Sequence, residues 1–247
     1  MRRMFRAFAM CQSMFCAIPF PCRVWDEKAR GLMLLFLPLV GLETGLAWAG
    51  LAWLCRHWAL PRLVTGLVLC LFPYVISGFI HLDGFMDVTD AIGSCRDLER
   101  RRAILKDSHV GAFAVIGLAL LLLAGFALMS SAEKEPWILI LVPVVSRCCS
   151  ALAVSILRPM SESQYAGAFR AGISRWQPVV LILVLLLSLT LGFVLWQEQG
   201  TVLLGGLLGY CLALRKGVQS LDGMNGDISG YALTWSELCA VAVFALI

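Results

Sequence analysis

The sequence predicts an all-α, polytopic integral membrane protein with about 6–7 transmembrane helices and a cytoplasmic N-terminus. Three observations carry that prediction. Hydrophobic residues make up 60% of the 247 and charged residues only 15%, where an ordinary soluble domain is about a quarter charged. Apolar runs of nearly 20 residues recur, the length a helix needs to cross about 30 Å of hydrocarbon. Lys and Arg gather in alternate loops. The mean hydropathy of +0.84 agrees with all three.

The first thirty residues begin with Arg2, Arg3 and Arg6 and continue apolar, as a leader peptide does. Pro19, Pro21, Arg23, Asp26 and Glu27 interrupt that run, so residues 1–30 are expected to form an amphipathic segment on the cytoplasmic surface. Spans are predicted near 31–54, 62–80, 110–130, 137–157, 177–196 and 201–214, with a last one beginning in 228–236 and ending at Ile247. The sixth is short, which predicts tilt, re-entry or extension at either end. Arg96, Arg100, Arg101, Arg102 and Lys106 follow the second span, Arg158, Arg170 and Arg175 the fourth, and Arg215 and Lys216 the sixth. The opposite loops hold Arg56, Arg62 and Lys134. Positive charge stays inside, so an Asp-rich loop at 81–109, the 158–176 loop and a second acidic motif at 215–237 are expected on the cytoplasmic side of a single membrane domain covering 1–247.

The net charge of +4 lies in these loop flanks, which suits lipid contact and speaks against a nucleic-acid partner. Ten cysteines occur without a C-x-x-C pair, so neither a zinc site nor a disulfide framework is indicated. No G-x-S-x-G, H-E-x-x-H, P-loop or dinucleotide fingerprint is present.

Chemistry concentrates in three clusters at predicted cytoplasmic ends. In His81-Leu82-Asp83-Gly84-Phe85-Met86-Asp87-Val88-Thr89-Asp90, helical spacing brings Asp83, Asp87 and Asp90 within about 60° of one another around the axis. Three carboxylates so close repel unless a positive group joins them. Mg²⁺ meets that need, taking oxygen donors from carboxylates and from substrate phosphates together. The second cluster, Lys106-Asp107-Ser108-His109-Val110-Gly111, leads into the third span, where exposed N–H groups and the positive dipole end favour a phosphate. The third, Asp222-Gly223-Met224-Asn225-Gly226-Asp227, is followed by Glu237, about 80° round a helix from Asp227. Arg147, about ten residues into the fourth span, is costly in lipid and therefore expected to pair with a carboxylate or clamp a phosphate.

Read together, these residues resemble the cobalamin synthase family, the adenosylcobinamide-GDP ribazoletransferases. The resemblance rests on Ile18-Pro19-Phe20-Pro21, Pro38-Leu39-Val40-Gly41, the aspartate motif from Gly78 to Asp90, Leu105 to Phe113, Ser146-Arg147, and Asn225-Gly226-Asp227 with Glu237. Departures are Cys16-Ala17 where a Thr-Arg pair is expected, Ala91 where a glycine is usual, and Thr234 where an acid is expected.

The resemblance implies a bacterial or archaeal multi-pass enzyme with its active site facing the cytoplasm. Adenosylcobinamide-GDP and α-ribazole (or its 5′-phosphate) would be joined with release of GMP. It further implies Mg²⁺ held by Asp83, Asp87, Asp90, Asp227 and Glu237, substrate contacts from Lys106, Ser108, His109, Arg147 and Asn225, and His81 or Asp107 as the candidate base. A homo-oligomer is compatible with it. Two other readings remain at this level: a prenyltransferase-like Mg²⁺-diphosphate enzyme, and a cation transporter, which would carry its acids near the bilayer midplane.

Overall fold

The computed structural model describes residues 2–22, 24–160 and 172–247, so Arg23 and Arg170 of the predicted basic flanks lie outside the described residues. The elements are α1 (Arg2–Phe15), α2 (Met33–His57), α3 (Arg62–Ile76), α4 (Ile80–Gly93), α5 (Leu98–Leu105), α6 (Ala112–Ser131), α7 (Val142–Ile156), α8 (Trp176–Trp196), α9 (Gly200–Leu221) and α10 (Gly226–Leu246). Among the described residues, five stretches are long and apolar enough to cross a membrane, or six if the bent α3–α4 pair counts as one. One of them, Trp176–Leu221, is 46 residues long. In a straight helix Gly192 and Leu203 would stand about 16 Å apart, yet a Cβ on Gly192 would lie 2.5 Å from the Leu203 side chain. The chain therefore folds back at Gln197–Gln199, and this stretch supplies two crossings.

The sixth predicted span, read as 201–214, is a full 22-residue helix reaching Leu221. Arg215 and Lys216, which ended it in the hydropathy pattern, are carried on the helix's last turns. The 81–109 segment, predicted as a loop, is mostly the two helices α4 and α5.

The bundle is built around α7, in which every residue from Val142 to Ala151 is buried. Small residues let backbones touch, the means by which helices associate where lipid removes the hydrophobic drive. Gly41 and Gly45 of α2 lie against the Pro143 and Ile140 carbonyls, and Gly205, Gly206 and Gly209 of α9 lie against Val243, Ala240 and Cys239 of α10. Trp48, only 1% exposed, donates its indole N–H to the Leu69 carbonyl at 3.0 Å, tying α2 to α3. At one end of the bundle the connections are laced by Arg62–Glu133 (2.8 Å), Lys134–Glu198 (2.9 Å) and Arg56–Glu135 (3.3 Å). These are exposed pairs of small individual worth.

At the other end the chain breaks sharply. Gly78 and Phe79 both adopt left-handed backbone (φ 62° and 63°), which permits α4 to leave α3 at 93°. The Phe79 N–H closes back onto the Tyr74 carbonyl at 2.8 Å, and the Ala17 N–H reaches the Ile76 carbonyl at 2.7 Å. So turned, α4 runs across the first turns of α10 and α6 instead of along the bundle. Its approach to α10 is set by glycine: a Cβ on Gly84 would sit 2.8 Å from Asp227 Cα, and one on Gly230 would sit 3.0 Å from the His81 carbonyl. Gly84→Ala is therefore expected to push the helices apart. The expected loss is about 1–3 kcal/mol of stability and about 10²-fold in turnover from the displaced carboxylates, read by thermal unfolding and by product release on the same preparation.

α1 is amphipathic as expected, but its apolar face is partly covered by protein. Ala7, Ala9, Met10, Cys11 and Gln12 are buried, while Met4 and Phe5 remain exposed.

Candidate active site

The crossing of α4 over α10 gathers the acids. Asp83 and Asp87 project from α4 beside Asp227 in the first turn of α10. Burial, then the neighbouring Asp83, Asp227 and Asp90 charges, push the Asp87 carboxyl up to about 6. Both the loss of solvation and the like charges act against the ionised form.

Each acid is held differently. Asn225 caps α10, its Oδ1 accepting from the Ile228 N–H at 2.9 Å, and its Nδ2 donates to Asp227 Oδ2 at 2.7 Å. Asn225, expected to touch substrate, lines the cavity below Asp227 and also caps α10 and orients Asp227. Asp90 reaches the start of α6, where its Oδ1 accepts from the Ala114 N–H at 3.3 Å. A Cβ on Gly111 would meet that carboxylate at about 2.1 Å, so Asp90 fills the α6 N-terminus and joins the aspartate motif to the 106–111 loop.

The turn before Asp227 is fixed from two sides. From α5, Arg101 Nη1 donates to the Ser220 carbonyl (2.8 Å), Arg102 Nε to Leu221 (3.0 Å) and Arg102 Nη2 to Asp222 (2.8 Å). These cations satisfy the last carbonyls of α9 and complement its dipole. A basic run readable as a membrane flank therefore has a definite protein target. From the other side, Met160 N–H donates to the Met224 carbonyl and Met224 N–H to the Arg158 carbonyl, both at 2.9 Å.

Other candidates fall elsewhere. Lys106, Asp107, Ser108 and His109 are exposed in the loop that leads to Gly111, which lies against Asp90. His109 and Asp107 pair with each other at 2.7 Å, and the His109 backbone N–H and ring hold the Asp107 carboxyl below its usual value. Arg147 and Glu237 form a buried ion pair at 2.8 Å, with side chains 0% and 6% exposed. Glu237 also accepts from the Ser146 hydroxyl at 3.0 Å. Glu237 lies ten residues along α10 from Asp227, about 15 Å, so the structure sets it with Arg147 and apart from the aspartates. Thr234, the departure from the expected acid, is fully buried and donates to the His81 carbonyl at 3.3 Å, tying α10 to α4. His81 is 7% exposed, its ring parallel to that of Phe15 (centroids 6.0 Å, 8°), and its Nε2 has no partner. Burial, with Arg147 adding to it, pushes this imidazole down to about 3. Burial thus favours its neutral form, which works against a role as base near neutrality.

Do these residues fit a divalent cation? The donors are hard carboxylate oxygens, and no ion pair at 4.0 Å or less links Asp83, Asp87, Asp90 or Asp227 to a cation among the described residues. No three His, Cys, Asp or Glu side chains there could hold an ion unaided. A hard cation such as Mg²⁺ would therefore draw at most two of these carboxylates and need water or phosphate oxygens for the rest of its shell.

Beneath Asp83 and Asp227 lies a cavity of about 330 Å³, walled by Phe15, Leu34, Leu37 and Val154. Two shallower depressions of about 700 and 570 Å³ run along residues 13–20 and the α3–α4 break, and the second shares Met14, Ile80 and Asp83 with the cavity.

A helical membrane bundle with acidic side chains at one end, beside a small apolar cavity and an open groove, defines a membrane-embedded protein with a ligand-sized acidic site at that end. The family model for cobalamin-5-phosphate synthase matches residues 7–245, and the chain belongs to that family. An adenosylcobinamide-GDP ribazoletransferase of Clostridium perfringens (strain SM101 / Type A) is 33% identical over 252 aligned positions, covering all of both chains. Proteins of the same name from Lachnoclostridium phytofermentans and Desulfitobacterium hafniense are 31% and 35% identical, covering 92% and 82% of this chain and 88% and 82% of their own. No solved structure matches.

Proposed function

We propose that this chain joins adenosylcobinamide-GDP to α-ribazole, or to its 5′-phosphate, and releases GMP. The observation that carries this reading is that Asp83 and Asp227, from two crossing helices, both line an apolar cavity, with Asp87 close enough to feel their charge. Family membership and the names of its relatives supply the substrates.

In the reaction a free ribose hydroxyl of the ribazole, one other than the 5′ position that its phosphate can occupy, attacks through its oxygen the phosphorus that bears the cobinamide. The bond from that phosphorus to the GMP oxygen breaks, and the hydroxyl proton is lost to a base. Transfers of this kind need positioning and charge neutralisation more than covalent help. Two of the carboxylates Asp83, Asp87 and Asp227 would hold Mg²⁺, with water and phosphate oxygens completing its shell and Asp90 nearby. Bound there, the ion would neutralise charge on the pyrophosphate. Asn225 keeps Asp227 in place, and Lys106 and His109 stand at the rim, where an anion would approach. The apolar wall excludes water from the attacking side, so the ribose hydroxyl faces less competition from hydrolysis. The Arg-rich helix α5 lies at this end of the bundle, which supports a cytoplasmic orientation.

The test uses purified protein in lipid with both substrates. GMP release is expected with Mg²⁺, loss of release with a chelator, and recovery when Mg²⁺ is restored. Absence of GMP together with metal-driven flux into liposomes would overturn the reading in favour of a transporter.

A further inference from the structure

The transferase reading leaves open where each substrate sits, and the three depressions differ in ways that decide it. The cavity below Asp83 and Asp227, about 330 Å³, stands at the small end of the range of about 300–1,000 Å³ for ligand sites. It has room for a flat bicyclic base with its ribose and none for a corrin macrocycle with its side chains. The groove formed by residues 13–20 and the α3–α4 break is larger and more open. Cavity and groove meet at Asp83, where the reacting phosphorus would lie if a nucleophile came from one side and the corrin-bearing electrophile from the other.

The polar groups inside the cavity are few and placed for an edge. Ser150 and Ser229 hydroxyls stand 2.5 Å apart across α7 and α10, and both line the cavity. His81 lines it too, more than nine-tenths buried, with Nε2 unpartnered. A buried polar atom without a partner incurs the full desolvation penalty, so an atom of a bound molecule that completes it gains affinity and selectivity. α-Ribazole carries one unsubstituted ring nitrogen on an otherwise apolar bicycle, the complement of an apolar wall with one vacant imidazole nitrogen.

We infer that this cavity is the base subsite for α-ribazole: Leu34, Leu37, Phe15 and Val154 enclose the bicycle, and His81 with the Ser150–Ser229 pair reads its polar edge. The corrin of the second substrate stays in the open groove. This inference rests on the transferase reading, and two measurements separate them.

The first is binding of α-ribazole alone, by equilibrium dialysis with the full chain in lipid nanodiscs. The second is steady-state GMP release with each substrate varied in turn. Leu34→Phe, which adds bulk at the wall, is expected to weaken α-ribazole binding and raise its KM about tenfold or more. The KM for adenosylcobinamide-GDP should stay within about twofold. Leu34→Ala, which enlarges the same wall and keeps the fold accessible if the bulky variant fails, is expected to admit a riboside of a larger tricyclic base that the parent uses poorly. A raised KM for adenosylcobinamide-GDP instead, or unchanged α-ribazole binding in Leu34→Phe with no gain of the larger base in Leu34→Ala, overturns the subsite. Should the parent bind α-ribazole and lose that binding in Leu34→Phe but release no GMP, the subsite stands and the transferase reading fails.

Discussion

Asp87→Asn is expected to reduce GMP release at least about 10³-fold, the low end of the range for one charge-organising group in phosphoryl transfer, without unfolding the protein. Asp87 sits where the fields of Asp83, Asp227 and Asp90 converge, half-buried. Its folded pKa of about 6 lies above that of an unfolded aspartate, about 3.9. An acid raised in this way leaves stability unaffected while both states are protonated. It destabilises the metal-free fold progressively as pH rises from about 4 through about 6, and the loss levels off above that. The asparagine variant loses this pH dependence, so in chelator it should unfold at the same or higher temperature than the parent at pH 7. Retained turnover, or a collapse of thermal stability, would remove Asp87 from the ion-holding set. Acids that destabilise the bare fold are expected at a site kept for function.

Arg147→Met is expected to be the most destabilising single change, by about 3–5 kcal/mol, since it strands Glu237 without its cation. Arg147 is fully buried in the central helix, and its Nη1 also reaches the Pro143 carbonyl at 3.4 Å. Glu237→Leu should be similarly harmful for the mirror reason. The double variant Arg147→Met, Glu237→Leu should recover most of the loss, because a buried ion pair replaced by apolar groups of similar volume is often neutral or better. Thermal unfolding of the four proteins in one detergent reads the cycle directly. If Arg147→Met were fully stable yet inactive, Arg147 would belong to the substrate, as its place in the sequence also allowed.

These two expectations divide along the line between local and distant information. Asp83, Asp87 and Asp90 were legible because helical periodicity is a property of consecutive residues, and their spacing puts them on one face whatever surrounds them. Their link to Asp227 was suggested only by a shared end of the spans. It is made real by Gly84 and Gly230, which allow α4 and α10 to touch. Glu237 was grouped with the aspartates because it follows Asp227 in the chain, but rise along α10 carries it toward Arg147. Arg101 and Arg102 read as a membrane flank because nothing nearby in sequence shows the α9 carbonyls they cap. One clue was available: a helix end leaves four carbonyls without partners, and a basic run at the same end is a natural source of donors.

By itself the sequence determined that this is a helical membrane protein, roughly where its helices begin and end, and which acids share a helix face, because hydropathy and periodicity are summed over neighbours along the chain. Only the tertiary structure decided that Asp227 joins Asp83 and Asp87, that Glu237 pairs with Arg147, and that a small cavity opens beside a wide groove. Those outcomes depend on which helices cross and how closely, and that is governed by glycines and by a 93° break whose effects act between residues far apart in the chain.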